Sequence, residues 1–423
     1  MIILQIASGD FFSTYGGGQV YVKNIVDEMI TLGADICVVS FVSHHAEVVR
    51  KSYQGHALYE IGTGCDARIE DVVSELKPDV IHAHSHKSLV CQIGVKLQIP
   101  VIVTAHHGGI LCPAGTLLDN DDTICQKQLS VKNCLRCCLR NIRTGVYWYP
   151  FVKHLPEKQY IKLGGFLAHK SFIPFITPIG GVASAVVSKI EQWRTIADLC
   201  TLMIAPSEVM GRAMTNRGLD ARKLRVVPHG IPRPKEVPPM APVVNGKVKF
   251  FYIGRICYVK GIHVLLAAFS GVKDREAELH LIGGAANKAE VRYMRRLQKK
   301  YANDSRIIWH GKIKPEEVYE QIKRYHSSSS SSAFLESFGL NISESLAMGK
   351  PVIATRCGGA EMQIKEGMNG WLVPTNDPEA MRERFDYVIS HPEILAEMTE
   401  ACKQSVIYMR QHCEELLTIY KSV

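Results

Sequence analysis

The sequence predicts an α/β protein built from two doubly wound parallel-sheet domains. Apolar, strand-like runs alternate with helical patterns almost from end to end, the pattern of a parallel sheet covered on both faces. A chain of 423 residues exceeds one ordinary core. Two series of such runs are separated by a proline-dense stretch, PHGIPRPKEVPPMAP.

The first series is IILQIA, ADICVVSFV, DVIHAH, PVIVTAHH, LMIAPS and LRVVP; the second is VKFFYIG, ELHLIGG, RIIWHG, PVIATR and GWLVP. This places a first domain at 1–240, with a cysteine-rich insertion near 108–140, a second at 241–392, and helices over 393–423. The prolines suit a semi-rigid linker. Ligands are expected in a cleft facing the carboxyl ends of the strands, where open α/β sheets bind them. The six serines Ser327 to Ser332 occupy a position that calls for a Val/Ile-rich central strand. A strand is expected there nonetheless.

With 46% hydrophobic and 22% charged residues, the composition is that of a folded soluble protein, neither a disordered chain nor a multi-span membrane protein. MIILQIASGD has no basic, apolar and small-residue leader pattern, so a cytoplasmic protein is expected, in reach of the cytoplasmic face of a membrane. The net charge of +9 is concentrated between Thr123 and Glu236, which hold 18 Lys/Arg against 6 Asp/Glu. Such a patch suits nucleic acid, an anionic membrane surface, a phosphorylated substrate or plain solvation. Nucleic acid is disfavoured, because neither zinc-finger spacing nor an RNP-like aromatic motif occurs. Residues 171–188, SFIPFITPIGGVASAVVS, are uncharged and interrupted by prolines and glycines; they read as a helix buried in the first domain or, with Trp148, Tyr149 and Phe151, as a peripheral membrane contact.

FFYIGRICYVKG puts Gly254 and Arg255 directly after a strand and Lys260-Gly261 before a helix. A planar guanidinium and an ammonium at one strand end suit a diphosphate. Tyr15-Gly16-Gly17-Gly18 precedes the helix QVYVKNIVDEMITLG; glycine-rich backbone at a helix start offers N–H groups to an anion, and a plain flexible loop is the competing reading. Ser337-Phe338-Gly339 forms a turn into a helix from Leu340 to Met348, with Glu336 before it and Glu344 within it. The first carboxylate can accept hydrogen bonds from sugar hydroxyls and the second from a ribose diol; two ordinary charges are the alternative.

Cys112, Cys125, Cys134, Cys137 and Cys138 crowd into GGILCPAGTLLDNDDTICQKQLSVKNCLRCCL. Disulfides are disfavoured in the cytosol, and Cys-x2-Cys with two further thiols suits a structural tetrahedral zinc on Cys112, Cys125, Cys134 and Cys137; unpaired thiols and redox chemistry are the other readings. The acidic run DNDD (119–122) in the same insertion reads as a solvated turn rather than a metal site.

Taken together, GGGQVYV (16–22), TAH (104–106), APSE (205–208), VVPHGI (226–231), GRICYVKG (254–261), LIGGA (281–285), HGKI (310–313), ESFGLNISE (336–344) and GGAEM (358–362) resemble the retaining GT-B glycosyltransferases of family four over nearly the whole chain. The resemblance implies two Rossmann-like domains facing a cleft. It implies transfer of a sugar from a UDP-, GDP- or ADP-linked donor to a hydroxyl of a glycan or lipid-linked acceptor, with retained configuration and no cofactor needed for catalysis. Arg255 and Lys260 would hold the diphosphate, Glu344 the ribose and Glu336 the donor sugar. Gly17 and Gly18 would cover the phosphates or the acceptor, while Gly254, Phe338 and the N–H groups from Gly339 through Leu340 to Asn341 would line the donor. His106 would be an orienting hydrogen-bond group beside the sugar, with His107 as its substitute. A non-hydrolysing nucleotide-sugar epimerase, or a sugar-binding relative without catalysis, are the competing functions.

Overall fold

The computed structural model describes residues 1–12, 17–119, 123–140, 177–243, 247–273 and 276–423, with a few isolated positions between 150 and 162. Its packing divides the chain into two units, Met1–Val227 with Leu416–Val423, and Pro228–Glu415. The sequence reading draws its boundary after residue 240, further along the same proline-dense stretch.

The first unit holds strands β1 (Ile2–Ile6), β2 (Asp35–Phe41), β3 (Val48–Tyr53), β4 (His56–Ile61), β5 (Val80–Ala83), β6 (Val101–Thr104), β7 (Leu202–Ala205) and β8 (Leu224–Val226), in the order β3-β4-β2-β1-β5-β6-β7-β8. Neighbours run parallel except β3 and β4. Those two form a hairpin whose two-residue loop, Gln54-Gly55, takes positive φ at both positions, the turn that matches strand twist. The helix Gly17–Thr31 crosses between β1 and β2 and buries Tyr21, Val22, Ile25, Val26 and Met29, one face at helical spacing. Because β1 lies between β2 and β5, the winding reverses at its carboxyl end, the usual ligand position of such sheets.

The second unit repeats the plan with β9 (Lys249–Ile253), β10 (Glu278–Ile282), β11 (Ile307–Gly311), β12 (Ser327–Ser330), β13 (Val352–Thr355) and β14 (Gly370–Val373), ordered β11-β10-β9-β12-β13-β14 and parallel throughout. Alternate residues of β9 enter different cores: Phe250 and Tyr252 join one cluster, Phe251 and Ile253 another. The sheet is therefore buried on both faces, as its continuous apolar runs require. Here the reversal falls between β9 and β12.

β12 is the serine run. Its backbone ladder pairs Ser328 with Phe251 and Val352, and Ser329 with Ile353, which any side chain permits. The hydroxyls differ in their fates. Ser327 Oγ donates to the Pro351 carbonyl at 2.9 Å, whereas Ser328 Oγ and Ser329 Oγ are buried without a hydrogen-bond partner.

Of the apolar stretch 171–188, residues from Thr177 onward form the helix Thr177–Leu199, and Val186, Val187 and Ile190 pack on Val131, Leu135 and Leu139 of the helix Val131–Arg140. Residues 171–176, Trp148, Tyr149 and Phe151 lie outside the described residues, as do Tyr15, Gly16 and positions 120–122 of the acidic run. Among the described residues no helix is long and apolar enough to cross a membrane.

An unpaired buried hydroxyl costs roughly 1–3 kcal/mol. Ser328→Ala and Ser329→Ala are each expected to raise stability by about 1 kcal/mol, read as a higher denaturant midpoint at unchanged slope. A lower midpoint in both would show that the hydroxyls have partners.

Candidate active site

At the carboxyl end of β9 the chain turns through Gly254, whose N–H donates to the Ile282 carbonyl at 3.0 Å. It then makes a single 3-10 turn, Tyr258–Lys260, before the helix Ile262–Ser270. Gly261 joins the two at φ +65°, and a Cβ there would lie 1.8 Å from the Ser331 carbonyl oxygen. Only glycine lets the loop after β9 lie against the loop after β12. Ser331 Oγ donates to the Lys260 carbonyl at 2.9 Å, closing the same contact.

This approach brings Lys260 Nζ to 2.5 Å from Glu336 Oε2, with only 20% and 14% of the two side chains exposed. Ser332 Oγ donates to the same carboxylate oxygen at 2.9 Å, and the ammonium lies 5.3 Å from the Phe334 ring centroid. Arg255, half-exposed, turns instead toward Glu290 with its Nε 3.7 Å from Oε1. The Glu336 backbone is fixed on both sides: its N–H donates to the Cys357 carbonyl and its carbonyl accepts from Gly359 N–H, at 2.8 and 2.9 Å. Gln363 Nε2 donates to the Phe338 carbonyl at 2.6 Å. Gly339, at φ +91°, then starts the helix Leu340–Ala347, whose first-turn N–H groups at Leu340 and Asn341 are the kind that receive anions. Glu344 stands on the second turn of that helix, and burial pushes its carboxyl up to about 7.

In the first unit His106 follows β6, beside the start of the helix Gly17–Thr31. A Cβ at Gly18 would lie 3.8 Å from His106 Cγ, and the Tyr21 ring meets His106 edge-on at 5.3 Å. Gly17 opens that helix. His107 is used as a cap: its Nδ1 accepts from Gly109 N–H at 3.0 Å.

Behind His106 lies a polar relay that the sequence reading did not single out. Gln5 Nε2 donates to the Tyr420 hydroxyl at 3.2 Å, which turns Gln5 Oε1 toward His84 Nε2 at 2.9 Å. An amide oxygen only accepts, so His84 Nε2 carries hydrogen. With His84 neutral, its Nδ1 is then the acceptor for His106 Nε2, 2.9 Å away. With Gln5 so oriented and His84 neutral, the chain of contacts favours the Nε2–H tautomer of His106. His82 joins the relay through Tyr420 at 2.6 Å and Thr104 at 2.7 Å. The signal was present in the sequence as polar Gln5, His82 and His84 inside apolar strand runs, since buried polar groups are retained where they are bonded.

An open cavity of about 420 Å³ adjoins His106 within the first unit, lined also by His86, Lys87, Gln92, Lys189 and Gln192. Burial, then the charge of Lys189, lowers the Lys87 ammonium to about 8, while Lys87 Nζ donates to the His84 carbonyl at 2.7 Å. Among the described residues no carboxylate raises either ammonium.

Two parallel-sheet α/β units with these loop-borne groups define a GT-B glycosyltransferase fold, and solved structures agree. HepE of Anabaena, crystallised in complex with UDP, aligns over 100% of both chains with a TM-score of 0.69 at 14% identity. Sucrose-phosphate synthase of Thermosynechococcus elongatus aligns over 100% of this chain and 98% of its own, with a TM-score of 0.69 at 16% identity. Residues 238–405 match the family described as Glycosyl transferases group 1, and residues 15–120 match Glycosyltransferase Family 4. The chain belongs to glycosyltransferase family four. A D-inositol 3-phosphate glycosyltransferase of Corynebacterium urealyticum is 28% identical over 179 residues, 41% of this chain and 42% of that protein. A sucrose synthase of Acidithiobacillus caldus is 29% identical over 163 residues, 34% of this chain and 21% of its own length. The matched stretches thus span about a fifth to two fifths of these relatives.

The raised carboxyl of Glu344 has a consequence for stability. A group whose folded value lies above its ordinary one contributes most below the usual glutamate range, and that contribution is lost as pH rises through about 7. Glu344→Gln should match the parent near pH 5 and exceed it near pH 8 by on the order of 1–2 kcal/mol. Parallel melting curves at the two pH values check this; an unchanged difference would place the carboxyl in water.

Proposed function

We propose that the protein is a retaining, nucleotide-sugar-dependent glycosyltransferase of glycan or glycolipid synthesis, acting on a hydroxyl acceptor. The observation that carries the reading is the Lys260–Glu336 pair at the carboxyl ends of β9 and β12, where an ammonium and a carboxylate are held together at a winding reversal. HepE of Anabaena has been crystallised with UDP and with UDP-glucose, which supports a nucleotide-linked sugar as donor here.

In this reading Lys260 and Arg255 take the diphosphate, with the N–H groups of Leu340 and Asn341 on its oxygens. As the bond from the anomeric carbon to the phosphate oxygen breaks, negative charge grows on the diphosphate, and fixed cations stabilise that charge more than they stabilise the intact donor. Glu336 leaves its ammonium partner to accept hydrogen bonds from sugar hydroxyls, so donor arrival exchanges the Lys260–Glu336 pair for an ammonium–diphosphate pair and a carboxylate bonded to hydroxyls. Glu344 accepts from the ribose diol. His106 presents a defined tautomer to the sugar. The departing phosphate takes the acceptor proton on the face where the new bond forms, so no protein base is required.

The cavity beside His106 supports an acceptor that carries a negative charge. Lys87 and Lys189 are two ammonium groups at its wall that no carboxylate among the described residues offsets, and a phosphate or carboxylate there would relieve their mutual repulsion.

Screening UDP-, GDP- and ADP-sugars for nucleotide release and for a new glycosidic product tests the reaction. Lys260→Ala is expected to lower kcat/KM on the order of 10²–10³-fold. Interconversion of the donor without acceptor would identify an epimerase instead, and full activity in the variant would remove Lys260 from the mechanism. With a turned-over donor in hand, a phosphorylated acceptor should outcompete its neutral counterpart, and Lys87→Ala should narrow that preference about tenfold or more; equal use of both acceptors by the parent would exclude an anion at the cavity.

A further inference from the structure

The insertion that follows His107 is built around its thiols. Cys112, Cys125, Cys134, Cys137 and Cys138 all line one cavity of about 20 Å³, room for a single small ion or water. None of them is in a disulfide. They reach the cavity from three pieces of local structure, a turn at Cys112, a return at Cys125 and one helix that carries the other three. Cys112 begins a tight turn in which its carbonyl accepts from Gly115 N–H at 2.9 Å. The chain then folds back as a small hairpin, with an antiparallel bridge between Leu118 and Ile124 and Cys125 N–H donating to the Leu117 carbonyl at 2.7 Å. That return brings Cys125 to the wall it shares with Cys112.

The remaining thiols come from the helix Val131–Arg140. Val131, Leu135 and Leu139 form its apolar face and are consumed by packing on the helix Thr177–Leu199. Cys134, Cys137 and Cys138 follow the i, i+3, i+4 spacing beside that face, with Cys134 and Cys138 also packed against the edge of the apolar cluster. The helix shows Lys132 and Arg136 to water, as an amphipathic helix should, and between these and its apolar face it places the three thiols on the cavity. Lys127 and Arg217 line the same cavity, and Arg217 Nη2 also donates to the Cys125 carbonyl at 2.8 Å.

We infer that this cavity is a structural metal site of the soft, tetrahedral kind, taking Zn²⁺ on Cys112, Cys125, Cys134 and Cys137, with Cys138 as the thiol left over. On binding, four S–H protons pass to solvent, four zinc–sulfur bonds replace the water ligands of the ion, and no electron changes hands. The centre carries two net negative charges; Arg217 and Lys127 line the cavity, Lys127 being already paired with Asp119 at 2.6 Å. The thiols draw in from the cavity wall around the ion. Among the described residues the group whose ligand atoms already meet within 4.8 Å is His44, His45 and Glu60, but there Lys51 Nζ lies 2.7 Å from Glu60 Oε2 and matches its charge. The metal would pin the 112–125 segment onto the helix and so fix the insertion that leaves directly from His106 and His107.

The full chain, purified under reducing conditions without added metal, should contain about one zinc per molecule by mass spectrometry of the elements. Cys112→Ser and Cys137→Ser should each lose most of it, and Cys138→Ser should keep it. Should the serine variants fail to fold, titration of the parent with an organomercurial, read by a zinc-sensitive dye, should release the ion as about four thiols react. Zinc below about a tenth of an equivalent in the parent, retention by both Cys112→Ser and Cys137→Ser, or a disulfide among the five cysteines by non-reducing peptide mapping would each overturn the assignment.

Discussion

The close approach of two backbones, Gly261 against the Ser331 carbonyl, is the constraint on which the second unit's site depends. A parallel sheet that winds outward in both directions from β9 and β12 leaves the loops after these strands side by side. Any side chain at position 261 would hold them apart. With the loops in contact, an ammonium from one and a carboxylate from the other meet in a partly dehydrated position. Dehydrating two charges costs more than their attraction alone returns unless other donors and acceptors are satisfied. Here Ser332 and the backbone partners of Glu336 supply them. The loop that carries Glu336, Phe338 and Gly339 is thus held by polar contacts of fixed direction as well as by the burial of Leu335 and Phe338. Such contacts fix an oxygen atom's position more tightly than interchangeable methyl groups would.

The serine strand belongs to the same economy of volume. Serine is small, so β12 adds little volume to either face of the sheet, while Phe250, Phe251, Tyr252 and Ile353 provide the apolar mass from the neighbouring strands. Ladder hydrogen bonds do not depend on side-chain type. The strand forms because its flanks are strongly apolar and its register is fixed from both sides.

Much of this was legible in the sequence. Continuous apolar runs announced parallel strands because both faces of each sheet are buried, and β9 shows those faces entering separate cores. Gly254, Lys260, Glu336 and Glu344 could be found because strand ends and helix starts are marked by glycine and by a switch from period two to period 3.6. The pairing of Lys260 with Glu336 was not legible, since it arises from strands that are neighbours in space and distant in sequence. Nor was the turning of Arg255 toward Glu290, a residue of the next helix. The relay behind His106 was visible only as polar letters in apolar runs; what bonds them is the register of β1, β5 and β6 plus a tyrosine from residues near 420. The five cysteines were legible as a cluster, whereas the helix face that gathers three of them needed the partner helix Thr177–Leu199 to declare which side was spent on packing.

Tyr420 gives the first unit an unusual chronology. That unit is discontinuous: residues up to Val227 are synthesised first, the entire second unit follows, and only then do Leu416–Val423 appear. Until they do, Gln5 and His82 lack the hydroxyl that both contact, and Gln5 Nε2 keeps only its longer contact with Met29 Sδ at 3.9 Å. A chain without those residues would lack the contact that orients the Gln5 amide, so the relay behind His106 depends on a segment some four hundred residues further along the chain.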